Sequence, residues 1–390
     1  MVKKKDTLLQ LRKFVTPEHL FGPDARFTTA RFCKKLGVKK LFLVTDNKLR
    51  SMHWVKEIEE LLLKEGIEYV VYSSVTPNPR DYEVMNGSEL YLENKCNMIL
   101  AIGGGSVIDC AKGIGIVSTN HKAISAFEGV DKIENPMPPL VSIPTTGGSS
   151  ADVSQFAIIN KIQERYKMAI ISKALISDIA LVDPVTLTTM DSMLTACTGI
   201  DALSHAFEAF VSNASSATTD LFALEAIRLI HGELYNTVAA PHNLESRTKV
   251  MLGSLYAGIA FSNASLGCVH ALAHSLGGYL DLPHGECNAI LLPHVVNYNF
   301  NAASEKYKTI SETLNLPVAG LSSNQVKNKL IEYLISFNKK LGIFSSLSSN
   351  GVTSDVIPAL AKKAINDPCN ATNPVSPNTD DLQRIYKEAF

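Results

Sequence analysis

Asp201 and His205 stand four residues apart, and His270 and His274 repeat that spacing further along the chain. In a helical segment residues four apart project from one face about a turn apart. A carboxylate and an imidazole so placed can grip one divalent ion, as two histidines do in zinc proteases. His284 lies in Pro283-His284-Gly285, a loop signature that can bring one more nitrogen in from the side. His205, His231, His242, His270, His274, His284 and His294 are seven of the ten histidines, gathered in under a quarter of the chain. A lone histidine on an apolar helix is more often a hydrogen-bonded core residue than a ligand, but scattered core histidines do not cluster this way. One aspartate with three histidines makes a mixed oxygen and nitrogen site with room for a substrate oxygen. Iron(II), zinc, cobalt and manganese all suit that set. Spacing alone does not decide which histidines are ligands and which are neighbours.

The elements that must carry this cluster fall into two kinds. In the first half, strands and helices alternate. Residues 39–46 form a short apolar run ending in Asp46, the pattern of a buried parallel strand. A helix is expected over 48–65, stopped by Gly66, then a strand from Ile67 and a helix over 82–94. Met98–Ile102 runs into Gly103-Gly104-Gly105-Ser106, with a helix over 107–115. Residues 139–144 form another strand, opening into Thr145-Thr146-Gly147-Gly148-Ser149-Ser150. Such alternation predicts an α/β domain with a Rossmann-like parallel sheet and right-handed crossovers.

Ligands in open α/β sheets bind beyond the carboxyl ends of the strands. A glycine run before a helix lets backbone N–H groups approach a phosphate, and the helix N-terminus adds a favourable dipole. Ser106, Thr145, Thr146 and Ser149 can donate to phosphate oxygens. Asp46 can accept the two hydroxyls of an adenosine ribose and would repel a 2′-phosphate, which favours NAD over NADP. The glycine run lacks the third glycine of G-x-G-x-x-G, and its acid comes before it, so the motif is not the standard dinucleotide fingerprint. Lys112 does not stand at the P-loop lysine position. Lys167 follows a hairpin near the domain junction, where an exposed lysine is the commoner outcome and a cofactor contact the alternative. Trp54 reads as packing. No G-x-S-x-G is present, so Ser149 and Ser150 are poor nucleophiles.

Near Asp183-Pro184 the character changes, and helical spacing dominates to the end, clearest over 220–234, 244–260 and 325–340. The division expected is an α/β dinucleotide-binding domain over 1–187 and an all-helical domain carrying the histidine cluster over 188–390. A chain of 390 residues makes two domains the prior. A net charge of -1, with acids and bases interspersed, leaves no electrostatic footprint for nucleic acid or an anionic membrane. The seven cysteines contain no C-x-x-C pair and read as reduced thiols. The basic N-terminus lacks a following apolar run, and no apolar run is long enough to span a bilayer, so a cytoplasmic location is expected.

These motifs, in this order, are similar to those of the iron-containing (group III) alcohol dehydrogenases along essentially the whole chain. The matching stretches are Gly103–Asp109, Ile143–Thr146, Gly199–Glu208, Val269–His274 and Pro283–Gly285. Residues 148–156 look most like a branch of alcohol dehydrogenase-like regulatory proteins of ethanol-regulated gene clusters. The resemblance implies that the helical domain is the metal-binding one, that Asp201, His205, His270 and His284 hold the metal, iron(II) with zinc as the alternative, in the cleft between the two domains, and that His274 sits beside the substrate. It also implies that Asp46, Asn78, Gly104, Gly105, Ser106, Asp109, Thr145, Thr146, Ser149 and Lys167 line an NAD site. Relatives commonly carry Thr-Thr-Ala-Gly-Thr-x-x-Glu where this chain has Thr145-Thr146-Gly147-Gly148-Ser149-Ser150-Ala151-Asp152, a change that bears on substrate scope. The activity implied is hydride transfer between a small primary alcohol and the nicotinamide, in a homodimer or larger homo-oligomer. A lyase or synthase on the same scaffold would need basic residues, and 199–286 offers only Arg228, Arg247 and Lys249. A cofactor-binding sensor with little turnover is the other reading, against which all four ligand positions are intact.

Overall fold

The computed structural model describes residues 11–344 and 346–390. β1 (Glu18–Phe21) and α1 (Thr29–Lys35) lead into β2 (Leu41–Val44), followed by α2 (Asn47–Arg50) and α3 (His53–Lys64). Then come β3 (Tyr69–Tyr72), α4 (Asp81–Glu93), β4 (Met98–Gly103) and α5 (Gly105–Asn120). β5 (Gly129–Val130), β6 (Leu140–Pro144), β7 (Phe156–Lys161), β8 (Tyr166–Ile171) and β9 (Ile179–Val182) follow.

Six strands pair in parallel in the order β1-β9-β6-β4-β2-β3. β2, β4, β6 and β9 are buried along their whole length, so they read as continuous apolar runs. Their side chains still alternate between two layers. Leu41 and Leu43 join Trp54, Ile58 and Leu62 of α3 on one face. Phe42 and Val44 join Val84 and Tyr91 of α4 and Ile108 of α5 on the other. From β2 the chain steps outward to β3 and returns to β4 on the opposite side. That reversal opens a crevice at the carboxyl ends of β2 and β4, where Asp46 and Gly103–Ser106 lie.

Two expected helices differ from those observed. The helix over 48–65 is broken into α2 and α3. Asp46 caps α2 through Leu49 N at 2.8 Å, while burial of Trp54, Val55, Ile58 and Leu62 sets the phase of α3, and the extended Met52 absorbs the mismatch. α5 starts earlier than expected, at Gly105, because Gly104 is its N-cap, and runs on to Asn120.

A second sheet pairs the β7–β8 antiparallel hairpin with β5. Beyond β9 the described elements are helical: α6 (Ser192–Val211), α7 (Ala217–Ala239), α8 (Leu244–Ala264), α9 (Cys268–Leu280), α10 (His284–Asn299), α11 (Ser304–Thr313), α12 (Ser323–Lys340), α13 (Ile357–Ala364) and α14 (Thr379–Glu388). α6 is buried almost all round from Thr195 on, which explains its apolar sequence. Val153, Ala180, Val182 and Leu187 pack against Met251, Leu255 and Ile259 of α8 and join the α/β and helical halves. No single helix among the described residues is long and apolar enough to cross a membrane.

The halves also meet backbone to backbone. A Cβ on Gly278 of α9 would come 2.4 Å from Cα of Tyr166 in β8. Gly278→Ala is therefore expected to destabilise the protein by about 1–3 kcal/mol through overpacking. Gly232→Ala, in open space on α7, is expected to gain about 0.5–1 kcal/mol. Chemical denaturation of both variants checks this, and equal effects would contradict it.

Candidate active site

α6 is fixed at its start by Asp191, whose side chain accepts from Leu194 N at 2.8 Å. About three and four turns on, it presents Asp201 and His205 from one face. α9 brings His270 against them: the His205 and His270 rings stack with centroids 4.4 Å apart, and Phe261 of α8 stacks on His205 at 4.3 Å. His284 opens α10, and Gly285 lets it do so in the right place. A Cβ on Gly285 would lie 2.0 Å from the carbonyl oxygen of Cys197, so the start of α10 rests on the backbone of α6.

The result is one carboxylate oxygen encircled by imidazoles. Asp201 Oδ1 lies 3.8 Å from His205 Nε2, 3.6 Å from His270 Nε2 and 3.7 Å from His284 Nε2. These separations are too long for hydrogen bonds. They suit donors sharing one ion at about 2.0–2.2 Å, whose mutual spacing would be roughly 3.3–3.6 Å. Asp201, His270 and His284 offer ligand atoms all within 4.8 Å of one another. Among the described residues the buried Nδ1 atoms of His205 and His284 find no partner. The spacing of Asp201, His270 and His284 therefore fits a divalent metal, with His205 beside them at 3.8 Å from Asp201 Oδ1.

The electrostatics agree. Burial pushes His205 down to about 3 and His284 well below the ordinary imidazole range, so both offer lone pairs. Burial alone would also depress His270, but Glu208 and Asp201 outweigh it and raise it to about 9. Burial alone would raise Asp201, yet His205, His284 and His270 together hold it well below the usual carboxylate range. The carboxylates of Asp201 and Glu208 thus favour a positive charge at His270, one that a proton supplies here and that a bound cation would replace.

Three residues that support the cluster escaped the sequence reading as functional. Glu208 lies seven after Asp201 on the same face of α6; its Oε2 is 2.6 Å from His270 Nδ1, and its Oε1 accepts from Val269 N at 2.7 Å. That contact aims His270 Nε2 at the site. Asn288, four after His284, donates from Nδ2 to Asp201 Oδ1 at 2.6 Å. The helical spacing of both was readable in advance. Asp367, whose Oδ2 is 2.8 Å from His274 Nδ1, gave no signal because the two lie 93 residues apart. His274 faces this carboxylate and stacks on His284 at 5.2 Å. His274, Asp367 and Cys369 also approach within 4.8 Å, but both Asp367 oxygens are engaged, one by His274 and one by Cys369 N. A cavity of 660 Å³ reaches His274, Lys167 and Asp367 between β8, α9 and α13.

The dinucleotide candidates gather at the neighbouring strand ends. Cβ atoms on Gly104 and Gly105 would lie 2.9 Å from Thr146 Cγ2 and 2.6 Å from Ser149 Oγ, so the two loops interlock. Thr145 N donates to Gly103 O at 3.1 Å. Asn78, in the left-handed region at φ 57°, donates its backbone N–H to Ser106 Oγ at 3.1 Å. Lys167 is buried and donates to Asn78 Oδ1 at 2.7 Å. Asp109 is buried too, and its Oδ2 accepts from Ile158 N at 3.1 Å, tying α5 to β7. Lys112 is fully buried and donates to the carbonyls of Ser154 and Phe156, each at 2.8 Å.

Two family profiles match this chain, iron-containing alcohol dehydrogenase over residues 16–184 and the C-terminal part of the same family over 195–390. The chain belongs to the iron-containing alcohol dehydrogenase family. It is 37% identical over 374 residues to 1,3-propanediol dehydrogenase of Klebsiella pneumoniae, covering 95% of this chain and 97% of that one. It is 35% identical over 377 residues to the NAD-dependent methanol dehydrogenase of Bacillus methanolicus, covering 97% and 99%. A crystal structure of 1,3-propanediol oxidoreductase superposes with a TM-score of 0.94 at 37% identity, covering 98% of this chain and 100% of the other.

Glu208→Gln would put an amide against His270 Nδ1 in place of a carboxylate. Metal affinity, measured by competition with a chelator, is expected to fall about 10–100-fold while the fold is kept. Unchanged affinity would contradict the orienting role of Glu208.

Proposed function

We propose that this protein is a metal-dependent, NAD(H)-linked alcohol dehydrogenase that interconverts a small primary alcohol and its aldehyde. The observation that carries the reading is the convergence of His205, His270 and His284 Nε2 on the single oxygen of Asp201, at 3.6–3.8 Å. Those four residues would hold the ion, iron(II) by family and zinc as the alternative. Bound there, the ion supplies a Lewis acid for the alcohol oxygen, and the nicotinamide supplies a hydride acceptor.

The chain's own residues do the rest. The amides of Gly104, Gly105 and Ser106 at the start of α5 receive the diphosphate, and Asp46 receives the adenosine ribose. Thr145, Thr146 and Ser149 wall the same crevice, Asp109 braces the helix beneath it, and Asn78 and Lys167 close it towards the metal. Asp367 holds the Nδ1 side of His274, which leaves Nε2 to accept a hydroxyl proton. Phe261, stacked on His205, and Phe156, 5.5 Å from Phe261, make an apolar wall near the metal side. Cofactor binding falls to residues 1–187 and metal binding to 188–390. The reduced, buried cysteines agree with a cytoplasmic enzyme, and a homo-oligomer is the expected assembly. Residues 148–156 still favour the ethanol-regulated branch.

The test is NADH formation by anaerobically purified protein over a panel of primary alcohols, first stripped of metal and then with iron(II) or zinc restored. Turnover is expected only with metal, and Asp201→Ala or His270→Ala is expected to lower kcat/KM by about 10³-fold or more. Absence of turnover in both directions with either metal, while NADH binds tightly, would overturn the enzyme reading in favour of a sensor.

A further inference from the structure

Asp281 lies outside both clusters, yet it touches the residues that join them. It ends α9 in the left-handed region at φ 55° and stands three residues before His284. Its Oδ1 accepts from Asn78 Nδ2 at 2.7 Å, and its Oδ2 accepts from Arg80 Nη2 at 3.0 Å. Asn78 and Arg80 belong to the loop between β3 and α4, in the other half of the molecule. Asn78 in turn contacts Ser106 Oγ through its backbone N–H and Lys167 Nζ through Oδ1. Arg80 is itself anchored: its backbone N–H donates to Glu83 Oε2 at 3.0 Å, and its guanidinium reaches Pro77 O at 3.1 Å.

We propose that Asp281 is a positioning residue that couples occupancy of the dinucleotide crevice to the loop carrying His284. The inference rests on the proposed function and adds to it a route between its two ligands. Anything that engages Ser106 and Lys167 bears on Asn78, whose amide holds the Asp281 carboxylate. Asp281 sets the path of Leu282 and Pro283, and these deliver His284 to within 3.7 Å of Asp201. Coupling of this kind is reciprocal: if NADH tightens metal binding, metal tightens NADH binding by the same factor.

The test uses zinc and NADH as probes, without turnover. Zinc affinity is measured by chelator competition with and without NADH, and NADH affinity by fluorescence with and without zinc. In the wild-type protein both factors are expected to be equal and on the order of 10-fold. Asp281→Gly removes both contacts and tolerates the left-handed backbone. It is expected to bring both factors to within about 2-fold of unity. Asp281→Asn keeps an acceptor for Asn78, loses the ion pair with Arg80, and is expected to retain an intermediate factor. A wild-type factor in Asp281→Gly, or wild-type protein that binds both probes independently, would overturn the coupling alone. Wild-type protein that binds zinc but no NADH would overturn the dinucleotide reading along with it.

Discussion

A carboxylate sunk among apolar helices is costly unless something compensates its charge, and Asp201 is such a group. Its charge is met by Asn288 of α10, which donates to it, and by His270 of α9, held protonated beside it, while His205 of α6 and His284 of α10 complete the ring. Much of the helical half can be understood as the means of meeting that demand. α6 is buried almost all round from Thr195 on because it runs through the middle of its neighbours. Gly285 is needed because the start of α10 rests on the backbone of α6. Glu208 is needed because an imidazole aimed by nothing would not keep its Nε2 on the site.

The α/β half meets a different demand, a crevice open to the proposed dinucleotide. Parallel strands supply it where the order turns back between β2 and β4. The Gly104–Thr146 and Gly105–Ser149 contacts close two loops into one surface. The two halves are then held together by the hairpin lying on α9, by the apolar contact around Val153 and Leu255, and by Asp281 reaching Asn78 and Arg80. The proposed chemistry needs both halves, because the proposed metal ligands lie in one and all ten proposed dinucleotide residues in the other.

Much of this was legible in the sequence, for identifiable reasons. Buried parallel strands announce themselves as short apolar runs, and helical pairs four apart announce a shared face. The alternation and the Asp201–His205 and His270–His274 spacings therefore pointed to real elements. What could not be read was anything set by contact across the fold. The break at Met52 depends on how Trp54 packs under the sheet, and the burial of Lys167 depends on Gly277 and Gly278 of α9. Lys112 looks like a misplaced phosphate ligand in sequence; in the fold it clamps the carbonyls of Ser154 and Phe156. The pairing of His274 with Asp367 has no local signature at all.

The most direct measurement is X-ray absorption at the metal edge of the zinc-loaded protein, with metal content determined on the same sample. One zinc per chain, surrounded only by nitrogen and oxygen at about 2.0–2.2 Å, is the result expected for Asp201, His205, His270 and His284. A sulfur neighbour at about 2.3 Å would move the ion to His274, Asp367 and Cys369. That result would contradict the site on which the proposed chemistry depends.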